Sequence, residues 1–255
     1  MKKKILVTRK LLIENEEKLK ELFDVKLNSE DELYTSDKIL ELSKDCDGIL
    51  SAITDQFNKD LIEKLSPSIK IIANFAAGFG NIDVSAALKK NIVVTNTPEV
   101  LDDSTADISI LLLLGASRKV LEARRAAELQ NWKWSADFML GKQMSNKRLG
   151  ILGMGRIGRA VAKRARGFNM EIHYHNRNQL PKDLEEGAIY HKTVKDLFNC
   201  SDFLSINCPA TKETNKIINK ETIAFLPDNV VIGNAARGDV VDDEAMIEAL
   251  KSEKV

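Results

Sequence analysis

The chain has 255 residues, with 38 acidic and 38 basic side chains and a formal net charge of zero at pH 7. Balanced charge argues against a nucleic-acid or membrane-surface partner, and the longest apolar run, Ile110–Ala116, is too short to span a bilayer. We expect no signal peptide at the basic N-terminus, because Thr8, Arg9 and Lys10 interrupt the apolar run. Three widely spaced cysteines without a C-x-x-C pattern predict neither disulfides nor a metal site, and favour a cytoplasmic location.

The first hundred residues alternate short apolar runs with helix-like segments, which predicts a parallel sheet covered on both faces. Pro98 ends this first unit. In chain order, the predicted elements are strand Lys4–Thr8, helix Leu11–Leu22, strand Val25–Leu27, helix Lys38–Ser43, strand Ile49–Ile53, helix Asn58–Leu65, strand Ile69–Phe75, helix Asp83–Lys89 and strand Ile92–Thr95.

A long, strongly helical segment over Ser104–Glu128 is predicted next, because it has no proline and a single glycine, and a tryptophan-bearing loop over Asn131–Lys142 follows. The alternation then resumes with strand Leu149–Leu152, helix Arg159–Phe168, strand Glu171–His175, helix Val194–Phe198, strand Phe203–Asn207, helix Lys220–Leu226, strand Val230–Asn234 and helix Asp243–Lys251. We therefore predict an α/β fold of two doubly wound parallel-sheet domains, over residues 1–99 and 100–255.

A glycine-rich turn between a strand and a helix predicts a dinucleotide-binding site in the second domain. Gly153, Gly155 and Gly158 fit G-x-G-x-x-G in the strand–turn–helix context that this motif requires. The first glycine allows a sharp turn, the second lets a pyrophosphate approach the backbone, and the third lets the helix pack closely on the strand. The backbone at the helix N-terminus, at Arg156 and Ile157, would then bind the phosphates.

The residues that follow the next strand favour NADP over NAD, although NAD remains possible. An acidic residue at this place would bind the ribose 2′-hydroxyl of NAD, whereas here Asn176 and Arg177 follow the strand. Asn176 does not repel a phosphate, and the planar guanidinium of Arg177 suits phosphate oxygens. His175 and Lys182 add positive charge nearby. The alternative is that Arg177 is a solvated loop residue.

Four stretches carry a resemblance to a known family: Asn74–Pro98, the run from NWKWS to GILGMGRIG, SINCPATKET (Ser205–Thr214) and NVVIGNAARGDVVDDEAMIEAL (Asn229–Leu250). They resemble the D-isomer-specific 2-hydroxyacid dehydrogenases, and within them the glyoxylate/hydroxypyruvate reductase branch. The resemblance implies a flavodoxin-like substrate domain, a Rossmann cofactor domain and reduction of a small 2-oxo acid to the D-2-hydroxy acid with NAD(P)H. It also implies a homodimer built on the arm Ser104–Lys142.

The resemblance also implies roles for individual residues. Arg237, in the sequence NAARG, would hold the carboxylate and the carbonyl of a 2-oxo acid, a planar anion that a guanidinium can grip with two hydrogen bonds. Ala77 and Gly78 would donate backbone N–H groups to the carboxylate. The remaining residues that would line the cofactor are Thr105, Cys208, Pro209, Thr214, Ala235 and Ala236.

The proton donor of the family is a histidine oriented by a carboxylate, and both follow the arginine in sequence. Here His173, His175 and His191 are the only histidines, all precede Arg237, and the chain ends at Val255. We therefore expect a fragment or a truncated product that binds its cofactor weakly and turns over poorly. Two alternatives stay open: a catalytically incomplete cofactor-sensing or scaffold protein on the same fold, and an NAD-dependent phosphoglycerate- or D-lactate-type dehydrogenase.

Overall fold

The computed structural model describes residues 2–130 and 132–255, so Asn131, the first residue of the predicted tryptophan-bearing loop, lies outside the described residues. The chain divides into two compact units, Met1–Val100 and Leu101–Val255. Each unit contains its own five-stranded parallel sheet and its own buried apolar core. The predicted α/β fold with two parallel sheets is confirmed.

The first unit has the strand order β2-β1-β3-β4-β5, with every neighbouring pair parallel. Three of its helices begin at a side-chain cap, where Thr35, Asn58 and Asp83 each accept a hydrogen bond from the backbone N–H three residues later. Its elements are β1 (Lys4–Val7), α1 (Ile13–Leu22), β2 (Asp24–Lys26), α2 (Ser36–Ser43), β3 (Gly48–Ala52), α3 (Lys59–Lys64), β4 (Ile71–Phe75), α4 (Val84–Lys89) and β5 (Val93–Thr95).

The second unit has the strand order β10-β9-β6-β7-β8, again entirely parallel. Its elements are α5 (Asp102–Ser117), α6 (Val120–Glu128), β6 (Arg148–Leu152), α7 (Arg156–Arg166), β7 (Glu171–His175), α8 (Lys182–Glu185), β8 (Ile189–Tyr190), α9 (Val194–Asn199), β9 (Phe203–Ile206), α10 (Lys220–Ile223), β10 (Val231–Asn234), a 3₁₀ turn (Gly238–Val240) and α11 (Asp243–Lys251). The chain runs outward from β6 to β8 and then returns to the other side of β6. This reversal leaves a crevice at the carboxyl edge between β6 and β9, where ligands bind in such sheets.

The predicted helical segment Ser104–Glu128 is helical in the structure, where it forms two helices. Helix α5 ends at Ser117 and α6 begins at Val120. Between them Lys119 has a φ of 52°, a left-handed conformation that an α-helix cannot include. Helix α8 and strand β8 were not predicted, because four and two residues are too few to show a periodic pattern.

Helix α5 packs against α7 through oppositely charged side chains as well as apolar ones. Arg164 of α7 contacts both Asp103 and Asp107 of α5, and Arg156 contacts Asp102 at 3.2 Å. The contact of Arg156 holds the start of α7, into which the glycine turn leads directly. In the part of the chain that the structure describes, no helix combines the length and the apolar character needed to cross a membrane.

Candidate functional site

Four parallel strands of the second sheet end at one edge, and predicted cofactor residues follow each of them. Gly153 follows β6, Asn176 follows β7, Cys208 lies two positions after β9, and Ala235 follows β10. Backbone hydrogen bonds join these ends: the N–H of Gly153 donates to the carbonyl of His175 at 3.0 Å. These four predicted cofactor residues therefore lie at the same edge of the sheet, the edge formed by the carboxyl ends of the strands.

The three glycines of the turn have different structural needs. Gly153 has a φ of +96°, and a Cβ there would lie 2.6 Å from the backbone nitrogen of Cys208. A Cβ on Gly158 would clash with the carbonyl oxygen of Gly153, so this glycine lets α7 approach the turn closely. A Cβ on Gly155 would meet nothing within 4 Å. The space in front of Gly155 is therefore open to a ligand that comes close to the backbone.

Helix α7 presents its N-terminus at this open space. Gly155 is the N-cap, and the first intrahelical bond runs from the N–H of Arg159 to the carbonyl of Gly155. The N–H groups of the first turn, including those of Ile157 and Gly158, precede that bond and have no partner within the helix. The first turn contains no acidic side chain. This end of α7 thus has the partial positive charge and the N–H donors without intrahelical partners that favour a phosphate.

The side chain of Asn176 forms hydrogen bonds with the backbone of Met154, in the middle of the glycine turn. Its Oδ1 accepts a hydrogen bond from the backbone N–H of Met154 at 2.6 Å, and its Nδ2 donates to the carbonyl of Met154 at 3.4 Å. Sequence reasoning assigned this side chain to the ribose and did not foresee its bond to the turn. Arg177 is exposed. The pKa of Glu213 is lowered, mainly by a hydrogen bond from Thr211 and to a smaller extent by Arg177. Arg177 thus lies within electrostatic reach of the loop after β9.

The loop after β9 is closed by its own hydrogen bonds. Thr214 donates through Oγ1 to the carbonyl of Pro209 at 2.6 Å and accepts from the N–H of Thr211 at 2.8 Å. Cys208 is buried against Gly153, and burial raises the pKa of its thiol, so a neutral wall residue fits better than a nucleophile.

Asn207, which sequence reasoning missed, offers a buried acceptor at the same crevice. Its Nδ2 donates to Ser205 Oγ at 3.0 Å, whereas its Oδ1 is buried and has no hydrogen-bond partner among the described residues. A buried acceptor without a partner costs stability unless another group donates to it. Together with the open space at Gly155 and the helix N-terminus, this orphaned atom fits a polar ligand such as a dinucleotide.

Arg237 follows β10 on the same edge. The side chain of Asn234 shapes the turn that carries it, accepting from the N–H of Ala236 and donating to the carbonyl of Arg237, both at 2.9 Å. Arg237 is exposed, and its Nη1 donates to the carbonyl of Ala236 at 2.8 Å. Its guanidinium has five N–H donors, so most of its donor capacity remains for an anion.

The three histidines lie on β7 and just after β8, whereas Arg237 follows β10, at the other end of the strand order. His173 Nδ1 and His191 Nε2 are 2.9 Å apart, and His175 Nδ1 is 2.8 Å from the carbonyl oxygen of His191. Burial lowers the pKa of both His173 and His191, so both rings are neutral near pH 7 and add no charge to the cofactor edge. Strands β7 and β10 are three strand positions apart, which corresponds to about 14 Å.

In the first unit, the loop after β4 has its carbonyl groups bound and its N–H groups available. Asn74 Nδ2 donates to the carbonyl of Gly78 at 3.0 Å, and Asn96 Nδ2 donates to the carbonyl of Ala77 at 2.7 Å. Over residues 2–130 and 132–255, no protein group accepts a hydrogen bond from the N–H of Ala77 or of Gly78. Thr105 is half-buried in α5 of the second unit, where its carbonyl accepts from Ser109 Oγ at 2.9 Å.

A parallel sheet with a glycine turn at its reversal point, an open helix N-terminus and an arginine on the same edge is typical of a dinucleotide-binding domain. Residues 110–255 match the family model described as D-isomer specific 2-hydroxyacid dehydrogenase, NAD binding domain. The chain belongs to the D-isomer-specific 2-hydroxyacid dehydrogenase family.

Relatives over nearly the whole chain agree with this assignment. The chain is 37% identical to glyoxylate reductase from Thermococcus litoralis over 98% of its own length and 77% of that protein. It is 36% identical to glycerate dehydrogenase from Hyphomicrobium methylovorum, over 98% of this chain and 79% of that one. The crystal structure of a glyoxylate reductase from Paecilomyes thermophila superposes with a TM-score of 0.89 and 36% identity, covering 100% of this chain and 79% of that chain. The expected family and branch are confirmed, and the family makes this chain a 2-oxo acid reductase with a nicotinamide cofactor.

Proposed function

We propose that the chain reduces glyoxylate or hydroxypyruvate to the 2-hydroxy acid, with the D configuration where the product is chiral, and that it prefers NADPH to NADH. The observation that carries this proposal is the exposed guanidinium of Arg237, on the same sheet edge as the glycine turn. A sensor of the cofactor alone has no need of an arginine at that edge, whereas a reductase of anionic carbonyl compounds does.

In this mechanism Arg237 binds the substrate and stabilises the transition state of its reduction. When bound, the reduced nicotinamide would supply a hydride to the carbonyl carbon, and the carbonyl oxygen would take its proton from water, because the three histidines lie on β7 and just after β8, away from Arg237. Two N–H groups of the Arg237 guanidinium bind a carboxylate oxygen and the carbonyl oxygen of the 2-oxo acid. Negative charge grows on the carbonyl oxygen as the hydride arrives. The fixed positive charge of the guanidinium therefore stabilises the transition state more than the ground state.

The N–H groups of Ala77 and Gly78 form the second anion-binding element of the proposal. Asn96 Nδ2 donates to the carbonyl of Ala77, which shares its peptide unit with the N–H of Gly78, and the N–H of Thr97 donates to the carbonyl of Ala76, which shares its peptide unit with the N–H of Ala77. The adjacent N–H groups are thereby preorganised as donors, and Gly78 adds no side chain that would keep a carboxylate away. We assign them to the substrate carboxylate.

The NADP preference rests on Arg177 and on the lack of a carboxylate at the end of β7. Asn176 follows the strand and is neutral, and Arg177 beside it is exposed and within electrostatic reach of the loop after β9. A 2′-phosphate at this place would gain a charge-assisted hydrogen bond from the guanidinium. The 2′-hydroxyl of NAD would find no carboxylate to accept its hydrogen bond.

The proposal includes a homodimer in the cytoplasm. The described residues of the arm Ser104–Lys142 expose a dense set of large apolar side chains, a surface that soluble proteins usually cover. Leu111 is 60% exposed, Leu121 69% and Trp134 80%. A second copy of the chain would cover this arm, and sedimentation velocity of Leu121→Glu against the unchanged protein tests it: we expect the dimer to dissociate. A cytoplasmic location agrees with the three free cysteines.

The reaction itself is tested by following the loss of reduced nicotinamide absorbance with glyoxylate and hydroxypyruvate, using NADPH and NADH in parallel. The proposal expects slow oxidation with both acids, because no described histidine lies beside Arg237 to donate the proton, and a higher kcat/KM with NADPH than with NADH. Binding of NADPH without oxidation by either acid would instead favour a cofactor-sensing protein. Faster oxidation with NADH would contradict the assignment of Arg177.

A further inference from the structure

A cluster of metal-ligating side chains lies on the β7–β8 side of the second sheet, away from Arg237. It consists of His173 in β7, His191 just after β8, and Cys200 at the end of α9. One ligand atom from each residue lies within 4.8 Å of the others. His173 is buried, and the other two are half-buried, so solvent reaches one side of the cluster. The 2-oxo acid reaction proposed above uses none of the three.

The three ligand atoms converge on one point. His191 Nε2 lies 2.9 Å from His173 Nδ1 and 3.5 Å from Cys200 Sγ. A neutral imidazole nitrogen has either one N–H or one lone pair, so His191 Nε2 can make a full hydrogen bond on only one of these two sides. Cys200 Sγ also donates to the carbonyl of Leu197 at 3.1 Å, a hydrogen bond that the thiol would give up on losing its proton to bind a cation. A single cation between the three atoms would satisfy all of them at once.

The two separations measured from His191 Nε2 are close to those of a tetrahedral zinc site, and His173 Nδ1 and Cys200 Sγ lie within 4.8 Å of each other. Zinc lies about 2.0–2.1 Å from a histidine nitrogen and about 2.3 Å from a cysteine sulfur, which at tetrahedral angles corresponds to about 3.3 Å between two nitrogens and about 3.6 Å between nitrogen and sulfur. The nitrogen–sulfur distance of 3.5 Å already matches. The nitrogen–nitrogen distance of 2.9 Å needs to open by about 0.4 Å. Imidazole and thiolate ligands together favour zinc over magnesium or calcium.

The outer nitrogen of His173 has the partner that a metal-bound histidine usually has. Its Nε2 is buried and has no hydrogen bond among the described residues, yet Glu171 Oε1 lies 3.2 Å from it. The Glu171 side chain is 58% exposed, so a small rotation suffices to align it. A ligating histidine normally donates its other N–H to a carboxylate, which fixes the ring and strengthens the ligand.

We propose that His173 Nδ1, His191 Nε2 and Cys200 Sγ form a zinc site, with Glu171 supporting His173 and water at the fourth position. Such an ion would join β7, the segment after β8 and the end of α9. Strand β8 has two residues and pairs only with β7, so this edge of the sheet has few other bonds to hold it. The ion would therefore cross-link this edge of the sheet. The site shares no residue with the proposed cofactor and substrate sites.

Metal binding to the full chain tests this directly. Chelator-treated protein in a non-thiol reductant is titrated with ZnCl₂ by calorimetry, and Co²⁺ is added in a parallel series to detect a cobalt–thiolate charge-transfer band. We expect one Zn²⁺ per chain, a rise in Tm on binding, and the charge-transfer band with Co²⁺. Cys200→Ser and His191→Gln should each abolish the band and the stoichiometric binding. Glu171→Gln should keep the band and weaken zinc binding by about 10–100-fold.

Cys46→Ser is the matched control, because Cys46 is a free cysteine in the first unit and should leave zinc binding unchanged. Retention of one Zn²⁺ by both Cys200→Ser and His191→Gln would place the ion elsewhere and overturn the proposal. Absence of binding at zinc concentrations above those of the protein would overturn it as well. Neither outcome depends on reductase activity, so the zinc site and the proposed function can fail separately.

Discussion

Asn176 Oδ1 accepts a hydrogen bond from the backbone N–H of Met154 at 2.6 Å, so the first residue after β7 holds the middle of the glycine turn. This is also the place where a dinucleotide site that prefers NAD carries a carboxylate. One side chain therefore contributes to the shape of the phosphate-binding turn and to the charge met by the ribose. The two contributions can be separated by substitution, because a carboxylate and an amide accept the same hydrogen bond.

Asn176→Asp should shift the cofactor preference toward NADH. The aspartate keeps an acceptor for the N–H of Met154, so the turn should hold its shape, but its charge repels a 2′-phosphate and accepts from a 2′-hydroxyl. We expect the ratio of the two Kd values to move by about tenfold or more in favour of NADH, as read by fluorescence titration of both reduced cofactors. Asn176→Ala is the control, since it removes the acceptor and should weaken both cofactors. An unchanged ratio in Asn176→Asp would refute this role.

Arg177→Ala should weaken NADPH binding selectively. A hydrogen bond to a charged group contributes about 1.5–3 kcal/mol, which corresponds to a rise in Kd of roughly 10–150-fold for NADPH and little change for NADH. Lys163→Ala serves as the control, because Lys163 is an exposed cation toward the other end of α7. If both variants weakened NADPH equally, the effect would come from general positive charge and not from contact with the 2′-phosphate.

Asp202 should make the second unit sensitive to acid. Its carboxylate accepts from the Nε, the Nη2 and the backbone N–H of Arg148, each at 3.0 Å, which joins the start of β6 to the start of β9. The hydrogen bonds from Arg148 lower the pKa of Asp202 from 3.8 to about 2. Because the pKa is lower in the folded state, the stabilisation is present above about pH 4 and is lost as the pH falls toward 2.

Asp202→Asn should therefore reduce the free energy of unfolding by about 1–2 kcal/mol at pH 7, a value discounted for the partial exposure of Arg148. The measurement is urea unfolding at several pH values between 2 and 7. The difference between the variant and the unchanged protein should shrink over the acid part of this range. A difference that stayed constant from pH 7 to pH 2 would show that the charge of Asp202 contributes nothing.

The strands could be predicted from the sequence because buried parallel strands are short continuous apolar runs between polar turns. The predicted strand Glu171–His175 and helix Asp243–Lys251 have the observed bounds. The break at Lys119 could not be predicted, since neither proline nor glycine marks it and only tertiary contacts decide where a long helix ends. Strand β8 could not be predicted either, because it has two residues and depends on its pairing with β7.

The glycine turn and Arg237 were identified from local sequence, because their chemistry depends on spacing within a few positions. The bond between Asn176 and Met154 spans 22 positions, and the His173–His191 contact spans 18. Such contacts depend on how strands line up across the sheet, which no short motif records. The orphaned Oδ1 of Asn207 likewise follows from burial in the folded chain and not from its neighbours in sequence.

The central claim is that Arg237 binds the 2-oxo acid while the glycine turn binds the nicotinamide cofactor. Oxalate tests it most directly, because it is a planar anion that resembles a 2-oxo acid and cannot be reduced. Calorimetric titration of the NADPH-loaded chain with oxalate should show binding, and Arg237→Gln should weaken it about a hundredfold or more without changing the Kd of NADPH. Equal oxalate affinity in Arg237→Gln and in the unchanged protein would contradict the account.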